Sequence, residues 1–151
     1  MLVEIPGLLN LVQVNTVRER LACAEFVDGK LTAGKVAASV KANEELVQTS
    51  EWSPPLQRVL MSSLGQNALF REAALPVQVA DFIFARYQSG MAYGEHVDDP
   101  MIGGGKLRTD LSMTVFLSDP ASYSGGELVI STSFGEQPIK LAAGSAILYP
   151  S

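Results

Sequence analysis

The chain is poor in the residues that most often betray a function: 151 residues hold one cysteine and one histidine. The lone cysteine, Cys23, has no partner for an internal disulfide, which suits a reducing compartment. Its neighbours Leu21, Ala22 and Ala24 offer no base to activate a thiolate, so it reads as a packing residue on a helix. Positive charge is scarce as well. A formal net charge of -5 supplies no broad basic face for phosphates, which argues against a nucleic-acid partner. No apolar run approaches the roughly 18–20 residues of a membrane span. The opening residues 1–7 lack the basic start and long apolar core of a signal peptide. The expectation is a cytoplasmic domain with neither membrane nor nucleic acid as partner.

What is present is enough apolar material, 47%, for one domain with a real core. No repeat, low-complexity tract or long linker divides it. Asn10 followed by Gln13 has the form of a capping box, opening a helix on which Val14, Val17 and Leu21 form an apolar stripe. Asp28-Gly29 signals a turn, and Lys30–Leu46, with Gly34 inside it, stays unassigned. Ser53-Pro54 reads as N-cap plus first-turn proline, starting an amphipathic helix over 54–70 with Leu56, Val59, Leu60, Leu64 and Leu69 inward. Gly65 weakens or breaks that helix, and Trp52 before it is a packing anchor.

After Pro76 the texture becomes β-rich. The runs 77–87, 93–97, 110–117, 127–130, 137–141 and 146–149 are separated by Gly, Pro, Asp and Ser. Helices first and strands after predict an α+β chain in which helices cover one face of a double-sheet barrel. In the first run Phe82, Phe84 and Arg86 share one face and Ile83, Ala85 and Tyr87 the other. Both faces are mostly apolar, as expected between helices and a barrel interior. An inward Tyr87 needs a hydrogen-bond partner, a ligand carboxylate or a backbone group.

The only histidine sits in His96-Val97-Asp98. On an extended strand positions i and i+2 share a face, so an imidazole and a carboxylate stand side by side. That is two-thirds of the 2-His-1-carboxylate triad that holds non-haem Fe(II). The tripeptide alone is weak, and Asp99-Pro100 after it also reads as a turn.

The wider pattern is more specific. Arg86-Tyr87-Gln88, Tyr93 through Asp98, Arg108-Thr109-Asp110-Leu111-Ser112, Phe116-Leu117-Ser118, Tyr123 through Leu128, and Gly144 with Leu148-Tyr149-Pro150-Ser151 follow one another in order. Together they resemble the Fe(II)- and 2-oxoglutarate-dependent dioxygenases of the prolyl/lysyl-hydroxylase-like superfamily, above all the bacterial PKHD-type hydroxylases linked to iron uptake. The resemblance implies a double-stranded β-helix (jelly roll), incomplete at its C-terminal end, with N-terminal helices packed on one sheet. Residues 1–76 would be a helical support region and 77–151 the partial jelly roll, in one structural unit. It implies His96 and Asp98 as iron ligands and Tyr87 as the hydroxyl approaching the 2-oxoglutarate carboxylate. Tyr93 would lie at the mouth of the site. Ser112, Thr114 and Phe116 alternate along a pocket-lining strand, with the inward parity open. Arg108 would pair with an acid, organise the loop after Asp98, or simply be solvated. The implied cofactors are Fe(2+), 2-oxoglutarate, O2 and ascorbate. The implied reaction decarboxylates 2-oxoglutarate to succinate and hydroxylates a C–H bond of a small molecule or protein side chain.

One departure stands out. Family members carry a second iron histidine shortly after the Leu-Tyr-Pro-Ser stretch and then an arginine for the distal carboxylate of 2-oxoglutarate; these 151 residues contain neither at matching positions. Three readings follow. The chain is a C-terminally shortened dioxygenase, inactive alone; or a non-catalytic jelly-roll binding module, self-associating through an open sheet edge; or an unrelated β-rich carbohydrate- or ligand-binding domain.

Overall fold

Asn10 starts the first helix as its spacing from Gln13 predicts. Its side chain accepts from the Gln13 N–H at 2.9 Å, and the Gln13 side chain accepts from the Asn10 N–H at 2.9 Å. Two of the orphan donors of the first turn are thereby satisfied. The helix, α1 (Leu11–Ala22), buries Val14 and Val17 and ends at Cys23. Cys23 is exposed there, not packed as expected, because it caps the helix on the solvent side of the stripe.

A computed structural model describes residues 1–33 and 35–151. Gly34, within the stretch left unassigned, lies outside them. The remaining helices are α2 (Lys35–Ala38), α3 (Ser53–Gln66) and α4 (Ala68–Ala74). The first strands are β1 (Val3–Ile5), β2 (Phe26–Asp28), β3 (Lys41–Ala42), β4 (Glu44–Leu46), β5 (Ala85–Arg86) and β6 (Ala92–Tyr93). They are followed by β7 (Met101–Ile102), β8 (Leu107–Arg108), β9 (Leu111–Val115), β10 (Leu128–Thr132), β11 (Gly135–Ile139) and β12 (Ala146–Pro150). Helix and strand are thus interleaved: β1 to β4 all precede Pro76, against the expected order of helices first.

Three local readings need correction. Ser53 is the first helical residue of α3, and Trp52 is the cap, without a side-chain bond. The Ser53 N–H is already bonded to the Ser50 carbonyl at 3.0 Å. Pro54 and Pro55 have no N–H, so a serine cap would find little to bond. The break after α3 falls at Asn67 rather than Gly65: Asn67 is extended and its Oδ1 caps Phe70 N at 2.8 Å, starting α4. Phe70, not Leu69, is then the buried residue. The long strand expected over 77–87 shrinks to β5. Gln57 of α3 bonds both backbone groups of Phe82, accepting from its N–H at 2.8 Å and donating to its carbonyl at 2.7 Å. That side-chain amide takes the place of a neighbouring strand. Phe84 is buried and Phe82 half-buried, while Ile83 is exposed, so one face of this segment is covered and the other is open.

The central sheet is antiparallel in the order β1-β12-β9. Val3 faces Leu148 and Ile5 faces Ala146 across one side of β12; Thr114 faces Ile147 and Ser112 faces Tyr149 across the other. A second sheet runs β2-β4-β5, and β3-β6, β7-β8 and β10-β11 are two-stranded. One core cluster gathers Leu9, Val14, Val17, Leu46, Leu56, Leu60 and Phe84 between the helices and the second sheet. Another gathers Ile5, Leu8, Leu64, Phe70, Ala146 and Leu148 on the central sheet. Phe82 and Val115 pack against both and join them.

Gly144 ties the turn before β12 to the N-terminal segment. Its carbonyl accepts from Leu9 N at 2.9 Å and its N–H donates to the Phe116 carbonyl at 2.7 Å. It has φ +88, and a Cβ there would stand 2.4 Å from the Leu9 carbonyl oxygen. Gly144→Ala is therefore expected to cost on the order of 3 kcal/mol, from left-handed strain plus overpacking. Urea unfolding should show a lower midpoint with unchanged slope; a loss below about 1 kcal/mol would mean the turn relaxes freely.

Candidate functional site

His96 lies in the loop after β6, and its geometry is set by two neighbours. Nδ1 is 2.8 Å from the Gly94 carbonyl oxygen. A carbonyl only accepts, so Nδ1 carries a hydrogen, and Nε2 is the ring nitrogen left to face a metal. The imidazole also stacks on Tyr93, with ring centroids 3.7 Å apart and planes 9° from parallel. Tautomer and ring plane are both fixed, as a metal-ligating imidazole requires.

Asp98 is held in the same way. Ser112 Oγ donates to Asp98 Oδ2, and the Ser112 and Ser151 hydroxyls are 2.8 Å apart. The other oxygen, Oδ1, stands 3.4 Å from His96 Nε2. Two metal–ligand bonds of roughly 2.1 Å span at most ~4.2 Å, so one ion can touch both atoms. The donor set, one imidazole nitrogen and one carboxylate oxygen, suits a first-row divalent metal. Among the described residues no group of three or more His, Cys, Asp and Glu side chains converges to hold a metal.

The strand parity left open by sequence resolves from the pairing. Leu111, Met113 and Val115 pack on the core. Ser112 and Thr114 lie on the opposite face with Asp98 and Tyr149, where the Thr114 and Tyr149 hydroxyls are 3.3 Å apart. Ser112 is thus a partner of Asp98. Phe116, the third member of that alternation, is buried. Tyr87 follows β5 and is half-exposed, and its hydroxyl accepts from Asn43 Nδ2 at 3.1 Å, neither of the partners expected. Arg108 stays apart: it pairs with Asp110 at 2.9 Å, both side chains largely exposed, at the end of the β7-β8 hairpin. Such a surface pair contributes little to stability.

Tyr93 stacks on His96, Tyr149 feels the charge of Asp98, and Tyr87 interacts with both of these tyrosines; each of the three has its pKa raised. For Tyr87 desolvation dominates, opposed by the Asn43 hydrogen bond and reinforced by Glu45. For Tyr149 desolvation again leads, with Thr114 opposing and Asp98 and Tyr87 reinforcing. Tyr93 is raised by desolvation, then by Asp98, Tyr87 and Glu45. All three stay protonated at neutral pH and can donate.

Sequence reasoning missed Tyr149 as a site residue, though its parity with Ile147 on β12 was readable. It also missed the wall made by β3 and β4. There Lys41 pairs with Glu45, Thr32 donates to the same carboxylate, and the Lys41 ammonium lies 5.1 Å from the Tyr93 ring centroid. A groove of about 590 Å³ between α1 and α3, lined by Gln13, Arg20, Pro55 and Arg58 among others, shares no residue with this constellation. Donor chemistry, not cavity size, locates the site.

Residues 82–151 match the family model of the 2OG-Fe(II) oxygenase superfamily. The chain is 48% identical to a PKHD-type hydroxylase of Thioalkalivibrio sulfidiphilus, over 100% of this chain and 68% of that protein. It is 46% identical to PKHD-type hydroxylases of Synechococcus elongatus and Escherichia coli, over 100% of this chain and 69% and 68% of theirs. In fold it is similar to the crystal structure of a Pseudomonas putida prolyl-4-hydroxylase, at TM-score 0.65 and 17% identity, covering 99% of this chain and 80% of that one.

Ser112→Ala removes the donor that orients Asp98. Loss of such an outer partner typically costs ten- to a hundredfold in metal affinity, and that is the expected weakening for Zn(II) by calorimetric titration, with the circular dichroism unchanged. Equal affinities would mean that Asp98 is held by something else.

Proposed function

The chain belongs to the PKHD-type hydroxylases of the 2OG-Fe(II) oxygenase superfamily, and from that premise we propose that it holds Fe(II) through His96 and Asp98 to hydroxylate a C–H bond. The observation that carries the reading is the pair itself. His96 Nε2 and Asp98 Oδ1 are 3.4 Å apart, and each has its other polar atom occupied, by the Gly94 carbonyl and Ser112 respectively. Both free donor atoms are presented together.

Bound Fe(II) with 2-oxoglutarate and O2 would supply the oxidising chemistry, coupling decarboxylation to hydroxylation, with ascorbate as reductant. The protein's own work is orientation. His96 and Asp98 would hold the ion and would leave positions for the cosubstrate and O2. Tyr87 offers a protonated hydroxyl to a 2-oxoglutarate carboxylate, and Thr114 and Tyr149 offer further hydroxyls on the same side. Tyr93, stacked on His96, sits toward substrate, which is a small molecule or a protein side chain. The proposed frame is a jelly roll in which β9 and β12 carry the site, with the helices of residues 1–76 packed behind it and β3 and β4 of the same region forming one wall. The absence of a disulfide partner for Cys23 suits action in the cytoplasm.

His96 is the only histidine of these 151 residues, so the protein ligands on hand number two. Iron binding by the chain alone is expected to be weak and its succinate release far below that of a full triad. His96→Ala should abolish the remaining metal binding in a calorimetric titration. An unchanged titration would overturn the assignment of His96; succinate release at rates ordinary for an intact enzyme would overturn the expectation that two protein ligands are too few.

A second reading concerns β9. Among the described residues it pairs with β12 alone, so its outer edge can take a strand from another copy. Sedimentation velocity is expected to show concentration-dependent dimers that a proline at Met113 removes; a monomer at every concentration excludes it.

A further inference from the structure

The polar wall of β3 and β4 has a feature that metal binding does not account for. Lys41, Asn43 and Glu45 alternate along the chain, and all three are buried, at 5%, 4% and 3% exposure. Ala42 and Glu44 between them are not buried. Buried polar groups are costly unless bonded. Lys41 and Glu45 satisfy one another and Thr32. Asn43 is different: Nδ2 donates to Tyr87 Oη at 3.1 Å, and Oδ1 is buried without a partner among the described residues.

The Asn43 side chain is therefore held by shape and register. Glu44 pairs with Arg86 and Glu45 with Ala85, so the next position of that antiparallel register sets Asn43 against Tyr87. The backbone carbonyl of Asn43 accepts from Gly29 N at 3.0 Å. Oδ1 fits only because residue 29 lacks a side chain: a Cβ there would lie 2.0 Å from it. Among the described residues, the one side-chain hydrogen bond this buried amide makes goes to Tyr87.

A phenol has one hydrogen to donate and two lone pairs that accept. An acceptor beside Tyr87 would consume the hydrogen; a donor uses a lone pair and leaves the hydrogen free. A carboxylate can only accept. We infer that Asn43 is a positioning residue for ligand recognition, which by donating to Tyr87 Oη turns the hydroxyl hydrogen toward a carboxylate oxygen of 2-oxoglutarate. The inference rests on the reading of Tyr87 given above. Burial of the phenol, which keeps it protonated, agrees with that role.

The test uses the chain labelled with [13Cζ]tyrosine, whose four tyrosine signals are resolved by NMR and assigned for Tyr87 with Tyr87→Phe. First, without ligand, Asn43→Ala removes a donor that stabilises the phenolate, so the Tyr87 pKa should rise; an unmoved pKa overturns the inference while leaving the functional reading intact. Second, 2-oxoglutarate is titrated in the presence of Zn(II). Asn43→Ala should weaken its binding about tenfold, as for one hydrogen bond to a charged group, and should have almost no effect in the Tyr87→Phe background. An equal loss in both backgrounds marks a merely structural role and overturns the inference. No 2-oxoglutarate response in the unmutated chain removes the functional reading, and the inference with it. Should the alanine variant fail to fold, Asn43→Asp keeps the shape and replaces the donor by an acceptor. It should then weaken 2-oxoglutarate as much as Tyr87→Phe does, and an unchanged affinity is again an overturning result.

Discussion

The structure depends on the antiparallel seating of β12 between β1 and β9. Ala146, Ile147 and Leu148 are essentially without solvent contact, and their backbone groups are used on both sides. The side chains then divide by parity. Ala146 and Leu148 join the cluster containing Leu64 and Phe70, and Tyr149 turns to the opposite face, where it meets Thr114. One strand thus separates the core from the site. The pairing joins residues more than 140 positions apart, Val3 with Leu148, so its loop-closure entropy must be repaid by apolar burial. Gly144 lets the turn before β12 lie against Leu9 and keeps that burial tight.

The site inherits its order from this arrangement. Ser112 lies opposite Tyr149 in the β9–β12 register, and from there its hydroxyl reaches Asp98. The orientation of the loop carboxylate is therefore referred to a core strand. His96 is referred to β6 through Tyr93, which pairs with Lys41 of β3. Loops carry the two donors, and strands fix where they point.

How much of this was legible depended on what kind of residue carried the signal. The α1 cap, the Leu56–Leu60–Leu64 stripe and the runs that became β9 and β12 were readable because apolar periodicity and capping chemistry are local. His96 and Asp98 were readable as a neighbouring pair of donors, but not for the reason expected: the strand predicted over 93–97 ends at Tyr93, and it is a loop, held by Gly94 and Ser112, that brings them to 3.4 Å. The wall at 41–45 was illegible for the opposite reason. It has the two-residue period of a strand, but its inward residues are Lys41, Asn43 and Glu45, which by composition read as a solvated loop. Only the tertiary partners Thr32, Tyr87 and Tyr93 explain why they are inside. The shortening of the 77–87 strand was equally hidden, since no local pattern announces that Gln57 will bond Phe82.

Charge shows what the polar groups near the site can contribute. Lys41 is neutralised by Glu45, Arg86 by Glu44 at 2.8 Å and Arg108 by Asp110. None of these three cations is held as an open counter-charge. The hydroxyls that meet the pair or one another there are neutral: Ser112 on Asp98, Tyr93 stacked on His96, and Tyr149 beside Thr114, with protonation of Tyr87, Tyr93 and Tyr149 favoured by burial and by nearby Asp98 or Glu45. Neutral donors in a fixed array give direction more than long-range attraction. An uncompensated buried charge beside them would also be expensive, which explains why Lys41 and Glu45 come as a pair. In such a site the aim of each hydroxyl hydrogen matters more than the sum of charges, and the aim of Tyr87 is set by an amide 44 residues earlier in the chain.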